Sequence, residues 1–276
     1  MPAEGAIPPR AGSTALGRAS VFYAAFALAG SLLILFVVLP LLSVFLGTSP
    51  SVLLETLTDS AVQQSIVLTF YAGALATLCA VITGVPLAYL LARVSFRGKG
   101  IVEGIVDLPI VIPHTAAGVA LLTVFGNRGV IGAPLAALNV RFIDSIPGIV
   151  VGMLFVGLPF LVDTARASFA MVDRELERVA QLDGASHWQA FLNVTLPLAW
   201  RGVFAGALMM WARAISEFGA VVILAYHPQI VPVLVYERFA GFGLGPAQAV
   251  SAILIVIALL VFACLRRLLA TQDVWG

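Results

Sequence analysis

Long apolar runs alternate with short polar segments along most of this chain. A helix needs about 20 predominantly apolar residues to cross the hydrocarbon core of a bilayer, and six runs reach that length. They predict transmembrane helices at Val21–Leu46, Val62–Ala92, Ile101–Phe125, Pro147–Met171, Gly202–Leu224 and Gln248–Leu269. The pattern therefore indicates an all-α polytopic membrane protein, with residues 21–276 forming one transmembrane domain.

Composition supports the same class. Of the 276 residues, 61% are hydrophobic and 11% are charged, whereas a soluble domain carries about 25% charged residues. Residues 1–20 differ, because they contain three prolines and several Gly and Ser, a composition that predicts a flexible tail. Cys79 and Cys264 both fall inside predicted spans, where we expect packing rather than a disulfide or a metal site.

Lys and Arg are distributed unevenly between the two sides that these spans define. If the N-terminus is cytoplasmic, eleven of them lie in cytoplasmic segments and three, Arg128, Arg141 and Arg238, lie in outer ones. Cytoplasmic loops of membrane proteins carry an excess of Lys and Arg. The bias predicts that both termini are cytoplasmic in a multi-pass protein of the cell membrane.

Several predicted spans contain helix-breaking residues. Breaks in lipid are tolerated where neighbouring helices or a water-filled cavity satisfy the freed backbone groups. A transport pathway would supply such a cavity, and close packing of helices at small residues is an equal alternative. The positions concerned are Gly84, Pro86, Pro109, Pro113, Gly157 and Pro159.

Residues 173–197 form the most polar stretch and the longest excursion between spans. Asp173 is suited to cap a first helix, and Gly184 is placed to end it in a left-handed conformation. Ser186 and Gln189 have the spacing of a capping box that starts a second helix. The pattern predicts two short helices, after which Pro197 turns the chain back toward the fifth span.

Trp188 and Phe191 give the second of these helices an apolar face. Such a face fits a groove on another protein. A helix that lies on the membrane surface, or against the chain's own inner face, would show the same pattern. The residues alone leave these alternatives open.

The loop also resembles the EAA signature of ABC importer permeases, roughly E-A-A-x-x-x-G-A followed by L-P. The match is carried by Glu177, Ala180, Leu182, Asp183, Gly184, Ala185, Phe191, Val194, Leu196 and Pro197. The resemblance implies that these residues, together with Trp188, form coupling helices seated in a cleft of an ATP-binding subunit. Arg178 and Val179 depart from the pattern, at positions that are often small or acidic.

Residues 106–126 and 211–244 resemble the molybdate, tungstate and sulfate permeases, most closely the tungstate/molybdate branch. This similarity implies a type I ABC importer permease architecture and a homodimer. It also implies two ATP-binding subunits and an extracytoplasmic oxyanion-binding protein in which most of the selectivity resides. ATP and Mg²⁺ are then expected on the ATPase. We expect this chain itself to bind no cofactor, no metal and no nucleic acid, with membrane lipid around it.

Intramembrane polar residues supply candidates for a pathway or gate. Arg213 and Glu217 lie one helical turn apart in the fifth span, where a charge costs about 2.5–3.5 kcal/mol. They are either pathway residues or a structural ion pair. His114 and Thr115 follow Pro113, where a helix N-terminus suits an oxyanion. The alternative for His114 is a core histidine bonded to a backbone carbonyl.

Several catalytic classes lack their motifs. The sequence contains no G-x-x-x-x-G-K-S/T phosphate loop, no H-E-x-x-H and no G-x-S-x-G. We therefore expect a non-catalytic subunit of an ATP-hydrolysing importer that translocates a tetrahedral oxyanion. A sulfate permease of the same family is the nearer alternative. A secondary transporter driven by an ion gradient, with Asp163, Arg213 and Glu217 as its sites, is the more distant one.

Overall fold

The computed structural model describes the backbone of residues 13–270 and the side chains of residues 22–263, and all regular structure in that part of the chain is helical. The helices are α1 Ser13–Leu46, α2 Pro50–Thr58, α3 Ser60–Arg93, α4 Lys99–Val111, α5 His114–Phe125, α6 Gly132–Ala137, α7 Ile146–Met171, α8 Arg174–Leu182, α9 His187–Ala190, α10 Leu196–Ile215, α11 Gly219–Leu224, α12 Val231–Phe242 and α13 Leu244–Ala270. A π-helical turn over Phe191–Thr195 joins α9 to α10.

Five helical runs among the described residues are long and apolar enough to cross a membrane, and a sixth is formed if α4 and α5 count as one span. The five are Phe22–Leu46, Ser60–Arg93, Ile146–Met171, His187–Ile215 and Leu244–Ala263. The predicted all-α, multi-pass architecture is confirmed. The predicted third span, Ile101–Phe125, is divided into α4 and α5, which are bent by 116° at the break.

The core of the bundle is α7, packed between α3 and α10. On α3, every fourth residue of the buried face is small: Ala72, Ala76, Ala80, Gly84 and Ala88. Such a row lets two helix backbones approach closely. A Cβ added at Gly84 would lie 3.2 Å from a methyl group of Val162 on α7, so the fit leaves little free space.

Only one of the predicted helix breaks is present. Both α3 and α7 run without interruption through their Gly and Pro residues, so packing rather than a broken span explains Gly84 and Gly157. Pro109 lies inside α4. The chain breaks at Ile112 and Pro113, which are both extended, because proline fixes its own φ and disfavours helix at the preceding residue.

Two predicted boundaries are also wrong. The fifth span is not Gly202–Leu224, because the helical run starts at His187 and ends at Ile215, and α11 is a separate short helix. Residues 13–20, assigned to the flexible tail, belong to α1. Residues 1–12 lie outside the described residues.

The first span is the least covered part of the described bundle. It packs against α13, yet the side chains of residues 32–36 are all more than half exposed within the chain. A helix that is apolar all round is suited to lipid or to another protein. Cys79 is exposed on α3 rather than packed inside the chain, and the side chain of Cys264 lies outside those described.

Candidate functional site

The polar loop lies at one end of the bundle, where α3 ends and α10 begins; we call this the loop end and the opposite end the far end. Asp173 caps α8 as predicted, since its carboxylate accepts the Glu175 N–H at 2.9 Å. Gly184 ends α8 with φ of +96°. The Gly184 N–H donates to the Gln181 carbonyl and the Ala185 N–H to the Ala180 carbonyl, both at 3.0 Å. This is the Schellman motif, for which glycine is favoured.

The second helix starts as predicted too. Ser186 and Gln189 form a complete capping box, in which the Gln189 side chain accepts the Ser186 N–H at 2.8 Å. The two-helix loop with a break at Gly184 and Ala185 is therefore confirmed as a local structure. Asp183 and Gly184 form its exposed tip.

The segment after Ser186 differs from the prediction, because α9 is not a separate short helix. It continues through the π-helical turn into α10, and Leu196 and Pro197 lie within one helical run. Leu196 N–H bonds to the carbonyl of Phe191, five residues back. Proline has no N–H and its ring displaces the carbonyl four residues earlier, so a widened turn just before Pro197 lets the helix continue.

The exposed apolar face of the loop is formed by Leu176, Val179, Leu182 and Trp188, which are 46%, 49%, 85% and 66% exposed. The prediction that Phe191 shares this face is wrong. Phe191 is 9% exposed and packs edge-on against Tyr89 of α3, with ring centroids 4.7 Å apart. Phe191 therefore packs on the bundle side of the loop.

Glu177 also points inward; counted back from Gly184, the glutamate of the E-A-A-x-x-x-G-A consensus falls on Arg178, one residue later. Its Oε1 accepts the Thr195 hydroxyl at 2.6 Å and the Arg93 Nε–H at 2.9 Å, and Arg93 Nη2 lies 2.8 Å from the same oxygen. Its Oε2 accepts the Tyr89 hydroxyl at 3.3 Å. The sequence pattern indicated none of these three partners.

The intramembrane candidates His114, Arg213 and Glu217 form one cluster. Arg213 Nη2 lies 2.8 Å from Glu217 Oε2 and 2.6 Å from His114 Nδ1, and His114 Nδ1 lies 2.9 Å from the same carboxylate oxygen. Glu217 is fully buried, and its Oε1 accepts the Ala220 N–H of α11 at 2.8 Å. The ion pair between Arg213 and Glu217 is confirmed. His114 bonds to side chains rather than to a backbone carbonyl.

This cluster stands where two short helices begin together. A Cβ added at Gly219 would lie 2.7 Å from Cβ of His114, and one added at Gly118 would lie 2.9 Å from the Ala220 carbonyl oxygen. Helices α5 and α11 therefore run parallel in close contact, with their N-termini at the cluster. Thr115 is exposed one residue into α5.

A second group of charges joins α4 to α7. Arg166 is paired with Glu103 and lies 3.4 Å from Asp163. The group links two helices, which is the geometry of a structural set of ion pairs. Within the described residues, no set of three or more His, Cys, Asp or Glu side chains is arranged to hold a metal ion.

The far end carries a polar cleft of about 760 Å³ between α2 and the start of α13. Asp59 lies at its edge, paired with Arg238 of α12 at 2.6 Å. The hydrogen bond from Arg238, with a further one from the Ala61 N–H, holds the pKa of the Asp59 carboxyl below its ordinary value. The pair ties the start of the second span to the segment before α13.

Comparison with known sequences assigns the family. Residues 84–272 match the profile of the binding-protein-dependent transport system inner membrane components. The chain belongs to this family. The family match and the spans described above both indicate a multi-pass membrane protein.

Three relatives of this inner membrane component are named for transport of oxyanions. The molybdate/tungstate transport system permease protein WtpB of Thermococcus kodakarensis is 40% identical over 250 residues, 90% of this chain and 96% of the relative. WtpB of Pyrococcus furiosus is 42% identical over 246 residues, 88% and 94%. A probable sulfate transport system permease, cysT of Zygnema circumcarinatum, is more distant, 30% identical over 232 residues, 82% and 81%.

The fold of this inner membrane component is also found in solved structures. A bacterial ABC transporter that imports the acidic polysaccharide alginate matches with a TM-score of 0.75 and 18% identity, over 94% of this chain and 98% of that one. The alginate transporter in complex with a periplasmic protein bound to an alginate pentasaccharide matches with a TM-score of 0.72 and 18% identity, over 90% and 93%. The architecture is that of ABC importer permeases.

Proposed function

We propose that this chain is the membrane-spanning subunit of an ATP-driven importer that carries a tetrahedral oxyanion, tungstate or molybdate, into the cytoplasm. The two relatives of about 40% identity that are named for these ions support the substrate class. The observation that carries the transport mechanism is the capped loop at the loop end, where the tip around Gly184 presents exposed Leu182 and Trp188.

An exposed apolar face on a rigid two-helix loop suits a groove on a protein partner. The proposed partner is an ATP-binding subunit, and the loop end is then the cytoplasmic end, as the distribution of Lys and Arg predicts. The chain does not hydrolyse ATP itself, and ATP and Mg²⁺ belong to that partner. Closure of two ATPases draws two such loops together and rocks the attached spans.

A second copy of the chain and an extracytoplasmic oxyanion-binding protein complete the proposed assembly. The uncovered surface of α1 leaves apolar area for lipid and for the second copy. The far end, with its polar cleft, then faces the binding protein. Homodimer, ATPase and binding protein are the partners that the family resemblance implies.

The cluster of His114, Arg213 and Glu217, with Thr115 beside it, is proposed as a gate element. The positive charge of Arg213 is already paired with Glu217, so the cluster holds α5 and α11 in place more readily than it offers a tight anion site. A passing dianion needs only weak, transient contacts, because tight binding would slow its release.

Reconstitution of the chain with its cognate ATPase and binding protein in proteoliposomes tests the proposal. We expect tungstate uptake that requires internal ATP and stops when the ATPase is omitted. Uptake that follows an ion gradient without ATP would support the secondary transporter instead. Calorimetry of the binding protein with tungstate, molybdate and sulfate tests the cargo, and a strong preference for sulfate would overturn the tungstate/molybdate assignment alone.

A further inference from the structure

Glu177 is buried in a part of the chain where its neighbours are exposed. Leu176 and Val179 on the same helix are about half exposed, whereas Glu177 is 8% exposed. A buried carboxylate is costly unless it is paired and hydrogen-bonded. Its position is therefore fixed by the groups that compensate its charge, and those groups lie on other elements.

The partners of Glu177 come from two different spans. Arg93 and Tyr89 belong to the last two turns of α3, and Thr195 to the π-helical turn that leads into α10. The Arg93 side chain is 7% exposed, so the pair is shielded from water. Charge-assisted hydrogen bonds in such surroundings are stronger than neutral ones.

A second bond holds α8 to the same place. The Arg174 guanidinium donates to the Ala92 carbonyl at 3.0 Å, at the end of α3. Helix α8 follows α7 along the chain, yet its polar ties run to α3. Since the small-residue face of α3 packs closely on α7, a displacement of the end of α3 has little free volume in which to be absorbed.

We propose that Glu177 is a positioning residue, which fastens α8 to the loop end of α3 through Arg93 and to α10 through Thr195, so that a force on the loop moves these two spans. The inference rests on the proposed function, since it names the route by which the ATPase drives the spans. It assigns Glu177 an intramolecular role, with Leu176, Val179, Leu182 and Trp188 left to contact the partner.

The test compares two charge-removing substitutions on one helix. Glu177→Gln removes the buried charge, and Glu175→Gln removes a charge that is 62% exposed and paired with Arg178. Complexes with the cognate ATPase and binding protein are reconstituted, and tungstate uptake and ATP hydrolysis are measured on the same vesicles. For Glu177→Gln we expect assembly and ATP hydrolysis to persist while uptake per ATP falls about tenfold, the equivalent of about 1.4 kcal/mol. Glu175→Gln should match wild type.

Thr195 provides a second, uncharged probe from the other side of the carboxylate. Thr195→Val removes one donor to Glu177 and should lower uptake per ATP in the same direction, whereas Thr195→Ser keeps the hydroxyl and should restore it. If Glu177→Gln complexes fail to assemble, the comparison of Thr195→Val with Thr195→Ser tests the positioning role instead. A purely stabilising role would lower assembly, uptake and ATP hydrolysis together and leave their ratio unchanged.

The outcomes distinguish the positioning role from the importer function. If assembled Glu177→Gln or Thr195→Val complexes transport as much tungstate per ATP as wild type, the positioning role is wrong and the importer stands. If wild-type chain shows no ATP-dependent uptake with its ATPase present, the proposed function itself fails.

Discussion

Replacement of Gly184 tests whether the left-handed turn at the loop tip is needed for ATPase binding. Its φ is +96°, and no atom would lie within 4 Å of an added Cβ. A larger side chain therefore meets no steric obstacle from its surroundings, and the cost is that of the backbone conformation alone, about 1–2 kcal/mol for a residue with a Cβ. A β-branched residue is the least tolerated there, and asparagine is the best tolerated after glycine.

The size of the effect depends on the bonds that hold the turn. Two hydrogen bonds close it, from the N–H groups of Gly184 and Ala185, and each contributes about 0.5–1.5 kcal/mol. A penalty of about 1–2 kcal/mol offsets much of that and lowers the equilibrium constant for formation of the native turn about 5- to 30-fold. If only the native turn binds the ATPase, the apparent Kd rises with the loss of native turn, by that factor at most.

The assay is titration of the cognate ATPase onto the detergent-solubilised chain. Gly184→Val should weaken binding measurably, by at most that factor, with Gly184→Asn close to wild type. Gly100→Val is the matched control, because Gly100 also has open space around it but lies inside α4, where valine and glycine differ by only a few tenths of a kcal/mol. Binding of Gly184→Val at wild-type affinity, or equal weakening by Gly100→Val, would refute the reasoning.

Three further substitutions probe other parts of the chain. Trp188→Ala should weaken ATPase binding by about 2 kcal/mol or more at unchanged melting temperature of the isolated chain; a fall in the melting temperature would show that Trp188 supports the fold. Gly219→Ala places a Cβ 2.7 Å from the His114 Cβ and should lower the melting temperature, by the equivalent of about 1–3 kcal/mol; an unchanged value would contradict the close packing of α5 and α11. The Asp59 pKa is lowered, mainly by Arg238. The stabilisation that the ionised Asp59 side chain contributes to the fold is therefore fully present above pH 3.8, and it is lost as the pH falls through the lowered pKa. Asp59→Asn should cost about 0.2–1 kcal/mol at neutral pH and nothing at the acid limit, as a melting series across pH would show.

The loop was predictable in detail because its signals are local. Each signal depends on residues within one helical turn of one another. The signals are the N-cap at Asp173, the left-handed Gly184 and the capping box from Ser186 to Gln189. The spans were predictable for a similar reason, since apolar length alone decides whether a helix can cross a bilayer. The helix bounds at Leu46 and Met171 agree with the predicted ends.

The contacts that the sequence did not reveal are those between distant residues. Arg93 and Glu177 are 84 positions apart, and no periodicity links them. Phe191 was assigned to the exposed face because helical spacing pairs it with Trp188, yet α3 supplies Tyr89 and covers it. An apolar face at a loop can turn toward the partner or toward its own bundle, and only the packing of the other helices decides which.

The intramembrane cluster shows the same limit in its electrostatics. An Arg and a Glu one turn apart neutralise each other whether or not a substrate passes, so the spacing of Arg213 and Glu217 could not separate a pathway from a structural pair. The third member of the cluster, His114, changes the interpretation. His114 is the first residue of α5, and its contact with Glu217 connects the start of α5 to the segment between α10 and α11. Opening either helix away from the other must part His114 from Glu217. A buried carboxylate that also holds the Ala220 N–H makes that separation costly, which favours a cluster that sets the resting position of α5 and α11 over one that stores the cargo.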